Sequence, residues 1–262
     1  MNRNEIWKIA MRQSAIDLGC APEDFLKDQN QIVISSTHPE ARKYLELPFY
    51  CDLVSYGSNI VASVSPEAEI AVRDYINHFP IEHCFETPEL YILNDAFAQK
   101  KIKICFMAEY FLPDPEALRP QLCSYEIRLL GPDGFQDYYT DSWGNALSAD
   151  HRERDVLAAA AYDGENLIGL AGCSADCSTM WQIGVDVLPE YRRQGIACAL
   201  TSRLAVEILE RGKVPFYCAA WSNIRSVRNA VKSGFRPAWA ELTAKSVEFV
   251  DQLIQKSERR ES

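Results

Sequence analysis

One stretch near the start of the last third of the chain constrains the fold more than any other. Residues 185–197 read VDVLPEYRRQGIA. Apolar residues that stop at Pro189 predict a buried strand, and the apolar run that begins after Gly195 predicts a helix. The first N–H groups of a helix have no acceptor within the helix, and the helix dipole adds about half a positive charge there. The stretch therefore predicts a site for an anion, such as a diphosphate, at the start of a helix.

The side chains around this junction suit phosphate. Arg192 and Arg193 add positive charge and forked donors, Gly195 lets the backbone approach a ligand, and Ala197 keeps the wall small. Other phosphate-binding loops are excluded, because the sequence has neither a Gly-x-x-x-x-Gly-Lys-Ser/Thr run nor a Gly-x-Gly-x-x-Gly run after a strand. Nucleoside triphosphate and dinucleotide sites are therefore not expected.

The segments after the junction follow in a definite order. Apolar residues recur every four positions from Ile196 to Ile208, which predicts a helix over roughly residues 195–211. A strand is predicted over residues 214–221, and Asn223 is placed to cap a short helix that ends before Gly234 and Phe235.

In its Arg-x-x-Gly-x-Ala spacing and in this order of elements, the chain resembles the GNAT superfamily of N-acetyltransferases, whose coenzyme A loop reads Gln/Arg-x-x-Gly-x-Gly/Ala. The resemblance covers residues from about 121 to 245. It implies an α+β fold, with a GNAT-like mixed sheet flanked by helices in the C-terminal domain. The expected domains are 1–120, a smaller α+β domain of unknown role, and 121–262, an acyl-CoA-binding acetyltransferase domain.

The resemblance also implies a reaction, the transfer of an acyl group, most often acetyl, from coenzyme A to an amine by direct attack on the thioester. Acetyl-CoA would be the cosubstrate. The backbone on either side of residue 186 would pair with the pantetheine arm as an added strand does, and the loop would hold the pyrophosphate. The cofactor-binding residues expected from the resemblance are Val185, Val187, Arg192, Arg193, Gln194, Gly195, Ile196, Ala197, Asn223 and Ser226.

Catalytic groups are not assigned by the sequence. Many relatives have a tyrosine five residues before the phenylalanine of the Gly-Phe pair, where this chain has Ala230. Asp176, Asp186 and Glu241 are candidate bases, but a lone carboxylate near a strand end is more often a cap or a solvated group. A noncatalytic acyl-CoA-binding module, regulatory or partner-binding, therefore stays open as the alternative.

Charge and composition limit the partners. The net charge of −10 and a pI near 5.0 argue against nucleic acid and favour a cationic acceptor, a small amine. No apolar run approaches bilayer length and the first residues are polar. We therefore expect no membrane partner, and we expect a cytoplasmic location. No metal is expected either, because Cys173 and Cys177 lack a second ligand pair. The acceptor's identity and the oligomeric state stay unknown.

Overall fold

A computed structural model describes residues 1–260 of the chain, which combine helices with a mixed sheet. The α+β class predicted from the sequence is confirmed. The helices are α1 (Arg3–Leu18), α2 (Glu69–His78), α3 (Glu89–Ala98), α4 (Ile196–Glu210), α5 (Ile224–Lys232) and α6 (Val247–Arg260). The strands are β1 (Gln31–Ile34), β2 (Cys51–Ser55), β3 (Val61–Val64), β4 (Ile102–Pro113), β5 (Glu126–Leu130), β6 (Asp155–Asp163), β7 (Asn166–Ser174), β8 (Met180–Val187), β9 (Val214–Ala219) and β10 (Phe235–Ser246). Among these residues, no helix is both long enough and apolar enough to cross a bilayer.

The chain forms two compact units, neither of which is continuous in sequence. The first consists of residues 1–13, 42–44 and 110–238, and the second of residues 14–41, 45–109 and the residues from Trp239 onward. This division differs from the ranges 1–120 and 121–262 expected above, because residues 1–13, 42–44 and 110–120 belong to the first unit and the residues from Trp239 onward belong to the second. The assignment of separate roles to those two ranges stays a prediction.

The first unit is built on a sheet in which the strands follow the order β9-β8-β7-β6-β5, and it also contains the end of β4, from Tyr110 onward. Neighbours from β5 to β8 are antiparallel, whereas β8 and β9 are parallel. Helix α4 packs on one face, where Gly169 of β7 leaves room for it. A Cβ at that position would lie 2.9 Å from the side chain of Ile196. The helix therefore lies close to β7, the neighbour of the strand that precedes the predicted anion loop.

A loop covers the other face of the same sheet. Gly172 of β7 and Gly184 of β8 are register partners. A Cβ on either glycine would overlap a backbone carbonyl, that of Ala146 or Asn145. Glycine is therefore required at both positions for the loop to lie directly on the strands.

The second unit has its own apolar core. Its strands follow the order β1-β3-β2-β10, and α2 and α3 contribute to the same cluster of buried side chains. Val72 and Ile76 of α2 and Leu93 and Phe97 of α3 are almost fully buried. Leu242 of β10 joins this cluster, so the last strand of the chain is part of the fold of this unit.

Candidate active site

Strand β8 separates from β9 halfway along its length. Met180–Gln182 pair with Val214–Phe216, and beyond Gln182 no described residue of β8 is paired with β9. The amide of Leu188 donates to the carbonyl of Ile168 on the β7 side. Because amide directions alternate along a strand, the N–H groups of Val185 and Val187 point to the opposite side, towards the gap beside β9. The gap therefore has a strand edge with main-chain donors.

The predicted loop follows directly from this edge. A short 3₁₀ helix over Pro189–Tyr191 turns the chain, and Arg193 and Gly195 have left-handed backbone angles, with φ of 66° and 83°. Arg192 is exposed, and its Nε donates to the carbonyl oxygen of Val187 at 3.0 Å. This arginine therefore links the loop to the strand edge.

Helix α4 begins without a side-chain cap. Gly195 occupies the N-cap position, and among the described residues no side chain caps the first turn. Apart from the two adjoining residues, no described atom lies within 4 Å of the position that a Cβ on Gly195 would take, so the space in front of these amides is open. Ile196 is buried and Ala197 is half-buried. Gln194 is exposed, and its Oε1 accepts from the hydroxyl of Tyr125 at 2.9 Å.

Ser226 lies in α5, which follows β9, Asn223 directly precedes this helix, and both have partners within the protein. The Oδ1 of Asn223 accepts the amide of Ser226 at 3.2 Å, which makes Asn223 the helix cap. The hydroxyl of Ser226 lies 2.7 Å from that of Tyr217, whose pKa is raised chiefly by burial. Ala230 on the same helix is fully buried in the core, so no open space replaces the tyrosine of the family pattern.

The face opposite α4 contains a polar cavity of about 370 Å³ within the first unit. Strand residues, the loop over the two glycines and two tyrosines form its walls. The lining residues are Tyr44, Tyr110, Gly144, Asn145, Ala146, Leu147, Ser148, His151, Arg154, Asp155, Gly172, Ser174, Asp176, Gln182 and Gly184. Gln182 is the last residue of β8 that pairs with β9, so the cavity adjoins the point where these strands separate.

Asp155 is a cavity residue that the sequence did not single out. Its side chain is buried, and its Oδ2 accepts the amide of Ser148 at 2.8 Å. Burial raises the pKa of Asp155 to about 6, against the lowering effect of the Ser148 amide. No motif marks this residue, since it reaches the cavity only through the register of β6 with β7.

The three candidate bases have different surroundings. The carboxylate of Asp186 accepts from the amides of Asn145 and Ala146 and from the side chain of Asn145, at 2.6–3.0 Å, so it fixes the loop over the sheet. Asp176 lines the cavity but accepts from Ser174 and Arg154. Glu241 belongs to the second unit. None of these arrangements leads us to assign a base.

Comparison with known proteins gives one family. Residues 139–239 match the family described as GNAT acetyltransferase. At the level of this family, the match indicates an acyl-CoA-dependent acetyltransferase. A comparison with curated proteins finds no match in sequence.

Several solved structures are similar to the chain at low identity. A GCN5-related N-acetyltransferase from Kribbella flavida is 15% identical, with 91% of this chain and 95% of that chain covered and a TM-score of 0.49. A GCN5-related N-acetyltransferase-like protein from Streptococcus suis is 18% identical, with 59% and 69% covered and a TM-score of 0.45. A structure from Salmonella typhimurium with its cofactor acetyl-CoA is 16% identical, with 48% and 95% covered and a TM-score of 0.35.

The family match spans the strand edge, the loop and all of α4, β9 and α5, which are the elements on which the resemblance was based. The resemblance of the C-terminal half of this chain to the GNAT superfamily is therefore confirmed over residues 139–239.

Proposed function

We propose that the protein is an acetyl-CoA-dependent N-acetyltransferase that transfers the acetyl group to a small amine. The observation that carries the proposal is the continuous path from the free edge of β8 to the uncapped start of α4. Main-chain donors face a gap along this edge, and the path ends in open space at helix amides beside two exposed arginines. This arrangement suits a long ligand with an amide-bearing arm and a pyrophosphate.

Each part of the path would bind one part of coenzyme A. Val185 and Val187 would pair with the pantetheine arm, as a peptide pairs with a sheet edge. The amides from Gln194 to Ala197 would bind the pyrophosphate with the helix dipole. Arg192 would add charge there while its Nε stays on the Val187 carbonyl, so it would couple the two halves of the ligand. The backbone of Asn223 and Ser226 would border the thiol end from α5.

The reaction needs a neutral amine near the thioester. The nitrogen lone pair would attack the carbonyl carbon, so that a C–N bond forms, the C–S bond breaks and coenzyme A leaves. The amide N–H of Val187, directed into the gap, would stabilise negative charge on the carbonyl oxygen as it develops. The protons lost by the amine would pass to solvent and to the departing thiol.

The decisive experiment combines binding with turnover. Calorimetry should detect binding of coenzyme A, and release of free thiol from acetyl-CoA should depend on an added amine from a panel of small primary amines. Binding without release for every amine would instead support the noncatalytic acyl-CoA-binding module, which the buried Ala230 in place of a tyrosine favours. Absence of binding would refute both proposals.

A further inference from the structure

The polar cavity lies beside the strand gap, because Gln182 lines the cavity and is the last residue of β8 that pairs with β9. Gln182 of β8, Ser174 of β7 and Asp155 of β6 are register partners in one row, and all three line the cavity. Gln182 stands where β8 leaves β9, and its Nε2 lies 3.1 Å from the Sγ of Cys218 on β9. The row therefore begins at the gap and ends at Asp155.

The far end of the cavity carries one uncompensated negative charge. Asp155 and Asp176 are both 4% exposed, and Arg154 is the lining cation. Arg154 Nη1 lies 3.5 Å from Asp176, so this pair is compensated, whereas no ion pair is found for Asp155 among the described residues. A buried carboxylate in a polar cavity is stabilised by a cationic ligand.

The distance across the sheet separates this carboxylate from the reacting amine. Two strand spacings of about 4.8 Å place Asp155 roughly 10 Å from β8. It cannot touch a nitrogen that attacks a thioester in the gap beyond β8. A cation bound at Asp155 would therefore be a group other than the reacting amine.

We propose that the acceptor is a small diamine, in which one amine is acetylated at the gap and the other, as an ammonium ion, is bound by Asp155. This inference rests on the proposed acetyltransferase function and specifies its substrate class. A cavity of about 370 Å³ is of the size that holds such a molecule.

Binding of the second ammonium should depend on pH. Burial holds the pKa of Asp155 at about 6, and Tyr139, Asp176 and Glu153 also act on this carboxyl. His151 and Arg154 line the same end of the cavity. Because the carboxyl attracts a cation only when ionised, the KM for a diamine should fall as the pH rises through about 6. The KM for a monoamine should lack this step.

The test compares hexamethylenediamine, n-hexylamine and aminohexanoate as acceptors of the wild type. The diamine should exceed both of the others in kcat/KM by at least about tenfold, as expected for a hydrogen-bonded charged group. Asp155→Asn keeps an oxygen for the Ser148 amide and should remove this preference, mainly through KM, with coenzyme A affinity unchanged. Asp150 is an exposed carboxylate outside the cavity, so Asp150→Asn is the matched control and should retain the preference for the diamine.

Each outcome separates this inference from the proposed function. A diamine preference that persists in Asp155→Asn, or a wild-type preference for aminohexanoate, would overturn the diamine proposal while acetyl transfer stands. If no amine releases thiol, the proposed function fails, and calorimetry with hexamethylenediamine still tests the cavity. Binding that Asp155→Asn abolishes supports the inference, and absence of binding to the wild type overturns it. If Asp155→Asn does not fold, the wild-type preferences alone decide.

Discussion

Two glycines at opposite ends of α4 allow backbone strain to be separated from ligand binding. Gly195 precedes the helix with φ of 83°, and Gly212 follows it with φ of 72°. For either residue, no atom of the described part of the chain lies within 4 Å of the added Cβ, apart from the adjoining residues. Gly195→Ala and Gly212→Ala should therefore cost the same strain, about 1–2 kcal/mol each. Both variants should fold, with Tm lowered by about 2–8 °C.

Only the substitution before the helix should affect the ligand. A methyl group on residue 195 would occupy the open space in front of the first helix amides, where the pyrophosphate is proposed to bind. We expect the Kd for coenzyme A to rise at least tenfold in Gly195→Ala, which corresponds to about 1.4 kcal/mol. The Kd of Gly212→Ala should equal that of the wild type. Titration calorimetry measures both values, and thermal unfolding measures the strain.

The comparison can refute the placement of the site. Unchanged coenzyme A affinity in a folded Gly195→Ala protein would show that the phosphate does not bind at this helix start. An equal loss of affinity in both variants would attribute the effect to destabilisation of α4.

Three further changes test other parts of the molecule. Arg192→Ala should weaken the binding of coenzyme A by about 10–150-fold, because a charge-assisted hydrogen bond contributes about 1.5–3 kcal/mol, whereas the affinity for a pantetheine fragment should hardly change in calorimetry. An equal loss of affinity for both ligands would show that this arginine has a structural role. Burial, and next the charge of Glu241, raise the pKa of Asp52 well above its usual value. The contribution of the protonated Asp52 to the free energy of unfolding is therefore complete below about pH 3.9 and is lost as the pH rises. Asp52→Asn should therefore raise Tm at pH 8 by at least about 2–4 °C but not at pH 3.5, and an equal effect at both would contradict this reasoning. Ala230→Tyr should overpack the core at a cost of about 1–3 kcal/mol without raising turnover, and faster thiol release would show instead that the site lacks an acid.

Much of the first unit could be predicted because its signals are local. The β6–β7 hairpin follows from two apolar runs around Asp163 and Gly164, and α4 follows from a four-residue period. Strand β10 and helix α3 were not predicted. The apolar residues of α3 are not confined to one side, since Tyr91 and Ile92 are exposed while Leu93 is buried. Such patterns are resolved only by packing with distant segments.

The same distinction applies to the site. The anion loop is a continuous run of residues, so its strand, turn and helix could be inferred from the order of the amino acids alone. The cavity depends on Asp155, Ser174 and Gln182 meeting across three strands, and a shift of one residue in register would turn each side chain to the other face. No pattern in a single sequence fixes that register.

The glycines beneath the loop are unfavourable in strands when only local conformational preferences are considered. Gly172 and Gly184 each weaken a strand when considered alone, since glycine loses more conformational freedom on folding than other residues. Their register makes them partners, and the carbonyls of Asn145 and Ala146 occupy the space of two missing side chains. Asp186, two residues further along β8, then binds the amides of the same loop. A residue that resembles a candidate base in sequence thus fixes the wall of the cavity, and the locally unfavourable glycines are what allow that wall to form.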